Sequence, residues 1–154
     1  MQRPTWEEFF TEIAEVVATR SNCERRHFGA VIVDEDHKIK ATGYNGTPAG
    51  TTNCGEGGCP RCNGDTPPGS GYDVCFCVHA EENALLYSDG PLDGCTIYVT
   101  GRPCILCLRH IITKKIWRVV YDHEGTVLYE PKLEDRYWQL VREGGVRFEE
   151  SHNA

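Results

Sequence analysis

The sequence predicts an α/β domain in which a sheet is layered against helices. Two observations support this prediction: short apolar runs typical of buried strands alternate with longer segments of helical spacing, and no linker is long enough to divide the alternation. A length of 154 residues suits one hydrophobic core. We therefore expect residues 1–154 to form a single domain.

The first three elements are predicted close to the N-terminus. Thr5 and Glu8 have the spacing of a capping box, and apolar residues then recur at helical intervals, which predicts a helix over residues 5–19. The run GAVIVD (29–34) is typical of a buried strand. After the turn EDHK, the run IKATGY (39–44) is predicted to be its partner.

A long irregular segment precedes the second half of the domain. Residues 45–78 are rich in Gly, Pro and Cys, and they are too many for an ordinary loop, so some additional interaction must hold this insertion. The remaining elements are predicted, in order, as a helix over 79–87, a strand over 95–100, a helix over 103–115, a strand over 117–122, a helix over 131–143 that ends at Gly144-Gly145, and a short strand at VRFE (146–149).

Composition narrows the classes of function. The apolar runs are all shorter than the roughly 20 residues of a membrane span, and MQRPTWEEFF lacks the basic and then apolar order of a signal peptide, so we expect a cytoplasmic protein without a membrane partner. The net charge is −7, with 16 basic against 23 acidic residues. This balance argues against a nucleic-acid partner but allows a small phosphate-bearing ligand, because a few Arg side chains suffice for one phosphate.

Two short motifs together predict a catalytic metal site. His79 and Glu81 begin one predicted helix, and Cys104 and Cys107 begin another. One imidazole and two thiolates are three ligands for Zn²⁺, and a catalytic zinc keeps its fourth position for water. The order H-x-E followed by P-C-x-x-C is typical of zinc nucleobase deaminases, in which the Glu transfers protons between the water, the base and the leaving amine.

Each motif has a plainer interpretation when it is taken alone. A lone C-x-x-C is often a structural knuckle or a redox pair, and a lone His is usually a hydrogen-bonded residue with no ligand. Acidic residues in the first turn of a helix favour the helix dipole without any catalytic role. The conjunction of both motifs, each at a predicted helix start, favours catalytic zinc with Glu81 as the acid/base.

Beyond these motifs, the chain resembles the deoxycytidylate deaminases of the cytidine deaminase superfamily. The resemblance spans roughly residues 20–122 and rests on CERRHFGAVIV, ATGYNGTPAG, GGCPRC, CVHAEENALL and TGRPCILC. It implies a cytidine deaminase-like three-layer fold, with a mixed five-stranded sheet flanked by helices on both faces. It also implies hydrolysis of dCMP to dUMP and ammonia.

The resemblance further implies ligand-binding residues and regulation. Asn45 is expected to hydrogen-bond the nucleoside, and the backbone of Ala80 to meet the pyrimidine. Many members are hexamers that respond to dCTP with Mg²⁺ and to dTTP through a glycine-rich loop, here Gly43, Tyr44, Asn45, Gly46 and Gly50. A nest of backbone N–H groups suits a phosphate, although the plainer interpretation of these glycines is a turn.

Arg25 and Arg26 are candidate phosphate contacts. They lie just before the first predicted strand, close to the nucleotide-binding region of the family that the chain resembles. A solvated basic pair is the alternative. Many relatives carry an aromatic residue near the substrate, shortly after the strand that matches RVVYD, whereas here the stretch reads DHEGTV and the next aromatic residue is Tyr129.

The cysteines outside the catalytic motif predict a second metal. Nine cysteines without a secretion signal favour metal ligands over disulfides. Four thiolates would close a structural zinc site and hold the 45–78 insertion. The predicted ligands are Cys54, Cys59, Cys62 and Cys75, with Cys23 or Cys77 as substitutes. The alternative is a set of buried free thiols.

Three functions remain distinct at this point. The first is hydrolytic deamination of a cytosine deoxynucleotide, with dCMP as the expected substrate and about two zinc ions per chain. The second is deamination of cytidine, dCTP, a modified cytosine nucleotide or a base in RNA. The third is a zinc module without catalysis that binds a partner, which would explain the cysteines but not Glu81.

Overall fold

The computed structural model describes residues 2–151, so the outermost residues of the predicted 1–154 domain, 1 and 152–154, lie outside the described part. Its elements follow the order predicted from the sequence. They are α1 (Trp6–Ala18), β1 (Gly29–Val33), β2 (Ile39–Tyr44), α2 (Ala80–Tyr87), β3 (Thr96–Val99), α3 (Ile105–Thr113), β4 (Arg118–Tyr121), α4 (Pro131–Gly144) and β5 (Arg147–Glu150). None of the described helices is long and apolar enough to cross a membrane.

The five strands form one mixed sheet in the order β2-β1-β3-β4-β5. β1 pairs antiparallel with both β2 and β3, while β3, β4 and β5 run parallel. β1 and β3 are buried along their whole lengths, which accounts for their continuous apolar sequences.

Helices cover both faces of this sheet. α1 packs on one face through Phe10 and Ala14 against the β1 side chains Val31 and Val33. The larger core lies on the opposite face, where α2 and α3 meet the other side chains of the same strands. α4 then packs over α3 and β5 around Tyr137. The predicted mixed five-stranded sheet with helices on both faces is confirmed.

Two glycines let helices approach the sheet at backbone distance. A Cβ on Gly29 of β1 would lie 2.1 Å from the carbonyl oxygen of Ala14 in α1. A Cβ on Gly43 of β2 would lie 2.2 Å from the carbonyl oxygen of Ala80 in α2. Both distances are far inside van der Waals contact, so a side chain at either position would force the helix and the sheet apart.

The predicted boundaries hold to within one or two residues. The largest shift is in the helix predicted over 103–115, which begins at Ile105 because Cys104 has extended backbone angles and is the N-cap. Thr5 caps α1, and its side chain accepts a hydrogen bond of 3.1 Å from the backbone N–H of Glu8, as the capping box predicts. The 45–78 insertion contains only two short 3₁₀ turns, Cys54–Glu56 and Tyr72–Val74.

Candidate active site

A cleft of about 870 Å³ opens where α2 and α3 begin. His79, Glu81 and Cys104 lie at its base, and segments 68–77 and 125–130 contribute its walls. The base is thus built from helix starts that pack on the sheet, and the walls come from irregular chain.

The three predicted catalytic-zinc ligands are close together. The Nδ1 atom of His79 lies 3.3 Å from the Cys107 sulfur and 3.4 Å from the Cys104 sulfur. All three ligand atoms lie within 4.8 Å of one another. His79 is the N-cap of α2 and Cys104 the N-cap of α3, so the geometry of the trio is set by how these two helices start.

The charges in this trio favour a cation at its centre. The hydrogen bond from Cys107, together with His79, lowers the pKa of the Cys104 thiol to about 4. Burial opposes protonation of His79, but the Cys104 thiolate outweighs it and raises the pKa of His79 to about 9. One soft nitrogen and two sulfurs at these distances fit a tetrahedral zinc ion, whose N···S edge is about 3.6 Å for typical bond lengths.

Glu81 lies next to this trio and is almost fully buried, at 7% exposure. Burial and the nearby Cys104 thiolate raise the pKa of Glu81 to about 7. A carboxyl group with such a pKa can both accept and donate a proton near neutral pH. This is the property that the H-x-E motif predicts for its Glu.

Two aromatic side chains, Tyr72 and Tyr129, line the cleft from different segments of its walls. The ring of Tyr72 is edge-on to the His79 ring at 6.2 Å and carries the guanidinium of Arg61 at 4.4 Å. The Tyr129 hydroxyl accepts a hydrogen bond of 2.8 Å from the backbone N–H of Ile105, beside the trio. Tyr129 is the first aromatic residue after DHEGTV, so the cleft has an aromatic wall despite that sequence difference.

Arg102 is a buried cation behind the Cys104 loop. Its guanidinium donates hydrogen bonds of 2.9 and 2.5 Å to both carboxylate oxygens of Glu134 and one of 3.2 Å to the Val127 carbonyl. It also lies 4.1 Å from the ring centre of Tyr137. Arg102 therefore links three parts of the structure: the 125–130 wall segment through Val127, the chain just before Cys104, and α4 through Glu134 and Tyr137.

No pattern in the sequence predicts a role for Arg61, Tyr72 or Arg102. Arg61 and Tyr72 lie in the irregular insertion, where no periodicity indicates which side chains face the cleft. Arg102 stands directly before the P-C-x-x-C motif, and this adjacency was the one available sign of its role.

Asn45 lines the cleft, but its side chain already makes two bonds to the backbone. Its Oδ1 accepts a hydrogen bond from the Phe28 N–H at 2.8 Å, and its Nδ2 donates to the Arg26 carbonyl at 2.7 Å. One N–H and one lone pair of the amide remain for a ligand. Ala80 lies between His79 and Glu81 but is fully buried against Gly43, and it is not among the residues that line the cleft.

Arg25 and Arg26 also line the cleft. Arg25 donates to the carbonyls of Arg61 and Thr66, and Arg26 donates to the carbonyl of Gly125 at 3.0 Å. Within residues 2–151, neither guanidinium forms an ion pair with a carboxylate. Both therefore keep positive charge directed at the cleft.

Two glycines of the predicted effector loop, Gly43 and Gly46, have roles in the fold itself. Gly43 admits α2, as described above, and Gly46 exchanges two backbone hydrogen bonds of 3.1 and 2.7 Å with Val78. Gly50 has a positive φ of 86° in an exposed turn. Tyr44 is exposed, and its carbonyl accepts a hydrogen bond from Asn83.

The remaining predicted ligands gather beside the cleft in a six-cysteine cluster. All nine cysteines of the chain are free thiols. Cys54, Cys59, Cys62 and Cys75 do not form one group, because Cys54 belongs to one set of four and Cys59 and Cys75 to another. The first set is Cys23, Cys54, Cys62 and Cys77, and the second is Cys59, Cys62, Cys75 and Cys77. The two suggested substitutes, Cys23 and Cys77, therefore both lie in the cluster. Cys23 precedes β1, so the 45–78 insertion folds back onto that part of the chain.

Several known proteins are similar to this chain in sequence or in structure. The family described as "Cytidine and deoxycytidylate deaminase zinc-binding region" matches residues 4–123. Deoxycytidylate deaminase of Mycobacterium phage D29 is 48% identical over 131 residues, covering 81% of this chain and 100% of the phage protein. Deoxycytidylate deaminase of Schizosaccharomyces pombe is 47% identical over 121 residues, covering 77% of this chain but 37% of the yeast protein.

A solved structure with a bound nucleotide is similar along nearly the whole chain. The dCMP deaminase of cyanophage S-TIM5, in complex with dCMP and dUMP, has a TM-score of 0.73 and 30% sequence identity. The alignment covers 97% of this chain and 99% of the phage chain. The similarity in fold therefore extends over nearly the whole length of both chains.

Proposed function

Because the chain belongs to the cytidine and deoxycytidylate deaminase zinc-binding family, we propose that it hydrolyses dCMP to dUMP and ammonia. The observation that supports this most strongly is the buried Glu81 carboxyl group beside the His79, Cys104 and Cys107 trio. Relatives named deoxycytidylate deaminase include one, from a phage, whose whole length this chain covers.

The trio would hold a zinc ion, whose ligand set matches its imidazole and two thiolates. When bound, zinc supplies Lewis acidity that activates water for attack on C4 of the cytosine. Glu81 then moves the protons: it takes one from the water, delivers one to N3 of the ring and helps the amino group depart as ammonia. Its burial keeps bulk water away from these transfers.

The walls of the cleft would hold the nucleotide. The remaining N–H and lone pair of Asn45 would bond the nucleoside, and Tyr72 and Tyr129 would flank the pyrimidine. A contact between the pyrimidine and the backbone of Ala80 is expected from the family resemblance alone. Arg25 and Arg26 carry unpaired charge at the same cleft, where they would meet the 5′-phosphate. Cationic side chains here favour dCMP over the uncharged nucleoside.

Replacing Glu81 with Gln tests the reaction. We expect turnover of dCMP to fall by at least about 100-fold, since general acid–base groups typically contribute that much. Zinc content and melting temperature should stay unchanged. Glu82→Gln is the matched control, because Gln can still accept the hydrogen bond that Glu82 receives from the His79 N–H at 3.1 Å. Full ammonia release by Glu81→Gln with zinc bound would contradict the assignment.

A substrate panel tests the choice of nucleotide. Ammonia release would be compared for dCMP, deoxycytidine, cytidine, dCTP and a tRNA. Arg25→Ala and Arg26→Ala should raise KM for dCMP more than KM for deoxycytidine, while Arg20→Ala, an exposed Arg at the end of α1, should change neither. Release from tRNA but not from dCMP would contradict the proposed substrate.

Regulation and assembly remain predictions from the family resemblance. Binding of dCTP with Mg²⁺, or of dTTP, at the 43–50 loop would raise the melting temperature of the folded protein in proportion to the logarithm of ligand concentration. A homo-oligomer, hexameric by the same resemblance, would show its mass in sedimentation. A melting temperature unchanged by either nucleotide at millimolar concentration would remove the effector prediction.

A further inference from the structure

The six-cysteine cluster holds more thiols than one structural zinc ion can use. Cys54 and Cys59 are fully buried, and Cys23 and Cys77 are 6% and 8% exposed. A tetrahedral ion takes four thiolates, so a single ion would leave two cysteines of the cluster without a function. The family match names a zinc-binding region but does not specify these ligands.

The two sets of four in this cluster overlap. Within each set, the four sulfur atoms lie within 4.8 Å of one another, and the sets share two cysteines, Cys62 and Cys77. Two tetrahedra that share an edge have six corners, which is the number of cysteines present. The arrangement is therefore the one expected of two metal ions joined by two bridging sulfurs.

The distances between sulfurs fit this arrangement. The Cys23 and Cys62 sulfurs are 3.8 Å apart, and the Cys59 and Cys75 sulfurs are 3.7 Å apart. Zn–S bonds of about 2.3 Å give a tetrahedral S···S edge of about 3.8 Å. A disulfide would require about 2.05 Å. Each of these two contacts lies within one set, so each set contains an edge of the right length.

The hydrogen bonds to sulfur distinguish the two kinds of ligand. The backbone N–H of Glu24 donates to the Cys54 sulfur at 3.4 Å, and that of Phe76 donates to the Cys59 sulfur at 3.2 Å. Both acceptors belong to one set only. A thiolate bound to one metal ion keeps lone pairs for N–H donors, whereas a bridging thiolate uses them on two metal ions.

We propose that the six cysteines bind two zinc ions, with Cys62 and Cys77 bridging them. Cys23 and Cys54 complete the first ion, and Cys59 and Cys75 complete the second. Six thiolates and two Zn²⁺ ions carry a net charge of −2, compared with −4 for six thiolates around a single ion. The second ion therefore relieves much of the repulsion between closely packed thiolates.

The metal content of the intact protein tests this proposal. Native mass spectrometry and elemental analysis should find three zinc ions per chain, two in the cluster and one at the His79 trio. Cys104→Ala, which alters only the trio, should retain two. One ion in the Cys104→Ala protein would overturn the proposal. This count does not depend on turnover, so it can fail while the proposed deaminase activity holds, and the reverse is also true.

Replacement of zinc by ¹¹³Cd tests the bridges directly. The nuclear magnetic resonance spectrum of the wild-type protein should show two cluster signals split by each other, because shared sulfurs couple the two cadmium nuclei. Cys75→Ser, which removes a terminal ligand, should leave one ion in the first set. Cys62→Ser should change the splitting because it leaves Cys77 as the single bridge, and Cys62→Ser/Cys77→Ser should abolish it. Cys95→Ser, a buried cysteine outside both sets, should leave the splitting unchanged. Two unsplit signals in the wild type would overturn the bridging, whether or not the variants fold.

Discussion

Replacing Glu134 with Gln would remove the counter-charge of the buried Arg102 guanidinium. The substitution keeps the shape of the side chain and one of its oxygens. In the structure, the two Glu134 oxygens accept hydrogen bonds from Arg102, from the Tyr129 N–H at 3.1 Å and from the Trp138 ring N–H at 3.1 Å. The Arg102 side chain is 2% exposed, so water cannot replace the lost charge.

The magnitude follows from the pKa of Glu134. Hydrogen bonds from Arg102 lower this pKa from an ordinary value of 4.5 to about 2. At about 1.36 kcal/mol per pH unit, the difference corresponds to roughly 3 kcal/mol of stability at neutral pH. Removing one partner of a buried ion pair typically costs about 3–5 kcal/mol, which agrees with this figure.

The effect should depend on pH in one direction. Because the folded-state pKa of Glu134 is below its unfolded value, its contribution is fully present above about pH 4.5 and is lost as the pH falls through about 2. The difference in unfolding free energy between wild type and Glu134→Gln should therefore be largest at neutral pH. It should shrink steadily below about pH 4.5.

Urea denaturation at several pH values measures this difference. Both proteins contain the same candidate metal ligands, so protonation of those ligands at low pH affects both curves and cancels in the comparison. Glu143→Gln is the matched control, because Glu143 is exposed on the same helix and should change stability by less than about 0.5 kcal/mol. A loss below about 1 kcal/mol for Glu134→Gln at pH 7, or a loss independent of pH, would refute the reasoning.

Three further substitutions test the packing around the site, each by chemical denaturation. Tyr137→Phe removes a buried hydroxyl that donates a 2.6 Å hydrogen bond to the Pro103 carbonyl, and should cost about 1–3 kcal/mol; no loss would mean that water satisfies this carbonyl. Gly43→Ala places a Cβ 2.2 Å from the first carbonyl of α2 and should cost roughly 1–3 kcal/mol, with lower turnover because α2 carries Glu81; wild-type stability would contradict the close approach. Phe10→Ala should cost about 3–5 kcal/mol, since Phe10 is 1% exposed on the sheet-facing side of α1, and a small loss would show that this layer repacks.

The strands and helices, and their order along the chain, could be predicted because each one is indicated by a pattern within a short stretch of sequence. The buried strands β1 and β3 read as continuous apolar runs, and α1 has both a cap and a helical period. The pairing of the strands was not visible in these patterns. The mixed sheet came from the family resemblance, since a short apolar run does not indicate which neighbour it pairs with.

The residues at the base of the cleft could also be predicted, because they too belong to short sequence patterns. His79 and Glu81 are two residues apart, and Cys104 and Cys107 are three apart, so each pair is fixed by a single turn of helix. The grouping of the six other cysteines could not be predicted, because it depends on how an insertion without periodicity folds. Arg102 could not be distinguished from other arginines, since its burial is created by α4 about 30 residues later in the chain.

The base of the cleft and the walls of the cleft are held in place by different interactions. The base is fixed by α2, which Gly43 holds against the sheet at backbone contact. The walls at Tyr72 and Tyr129 belong to irregular segments, held by the cysteine cluster on one side and by Arg102 on the other. If the chain has the proposed function, mutations in the walls would therefore alter the contacts with the nucleotide without displacing Glu81. The same separation offers protein engineers a defined region to randomise, the wall residues 68–73 and 125–130, in which new specificities could be selected while Glu81 and the His79, Cys104 and Cys107 trio stay in place.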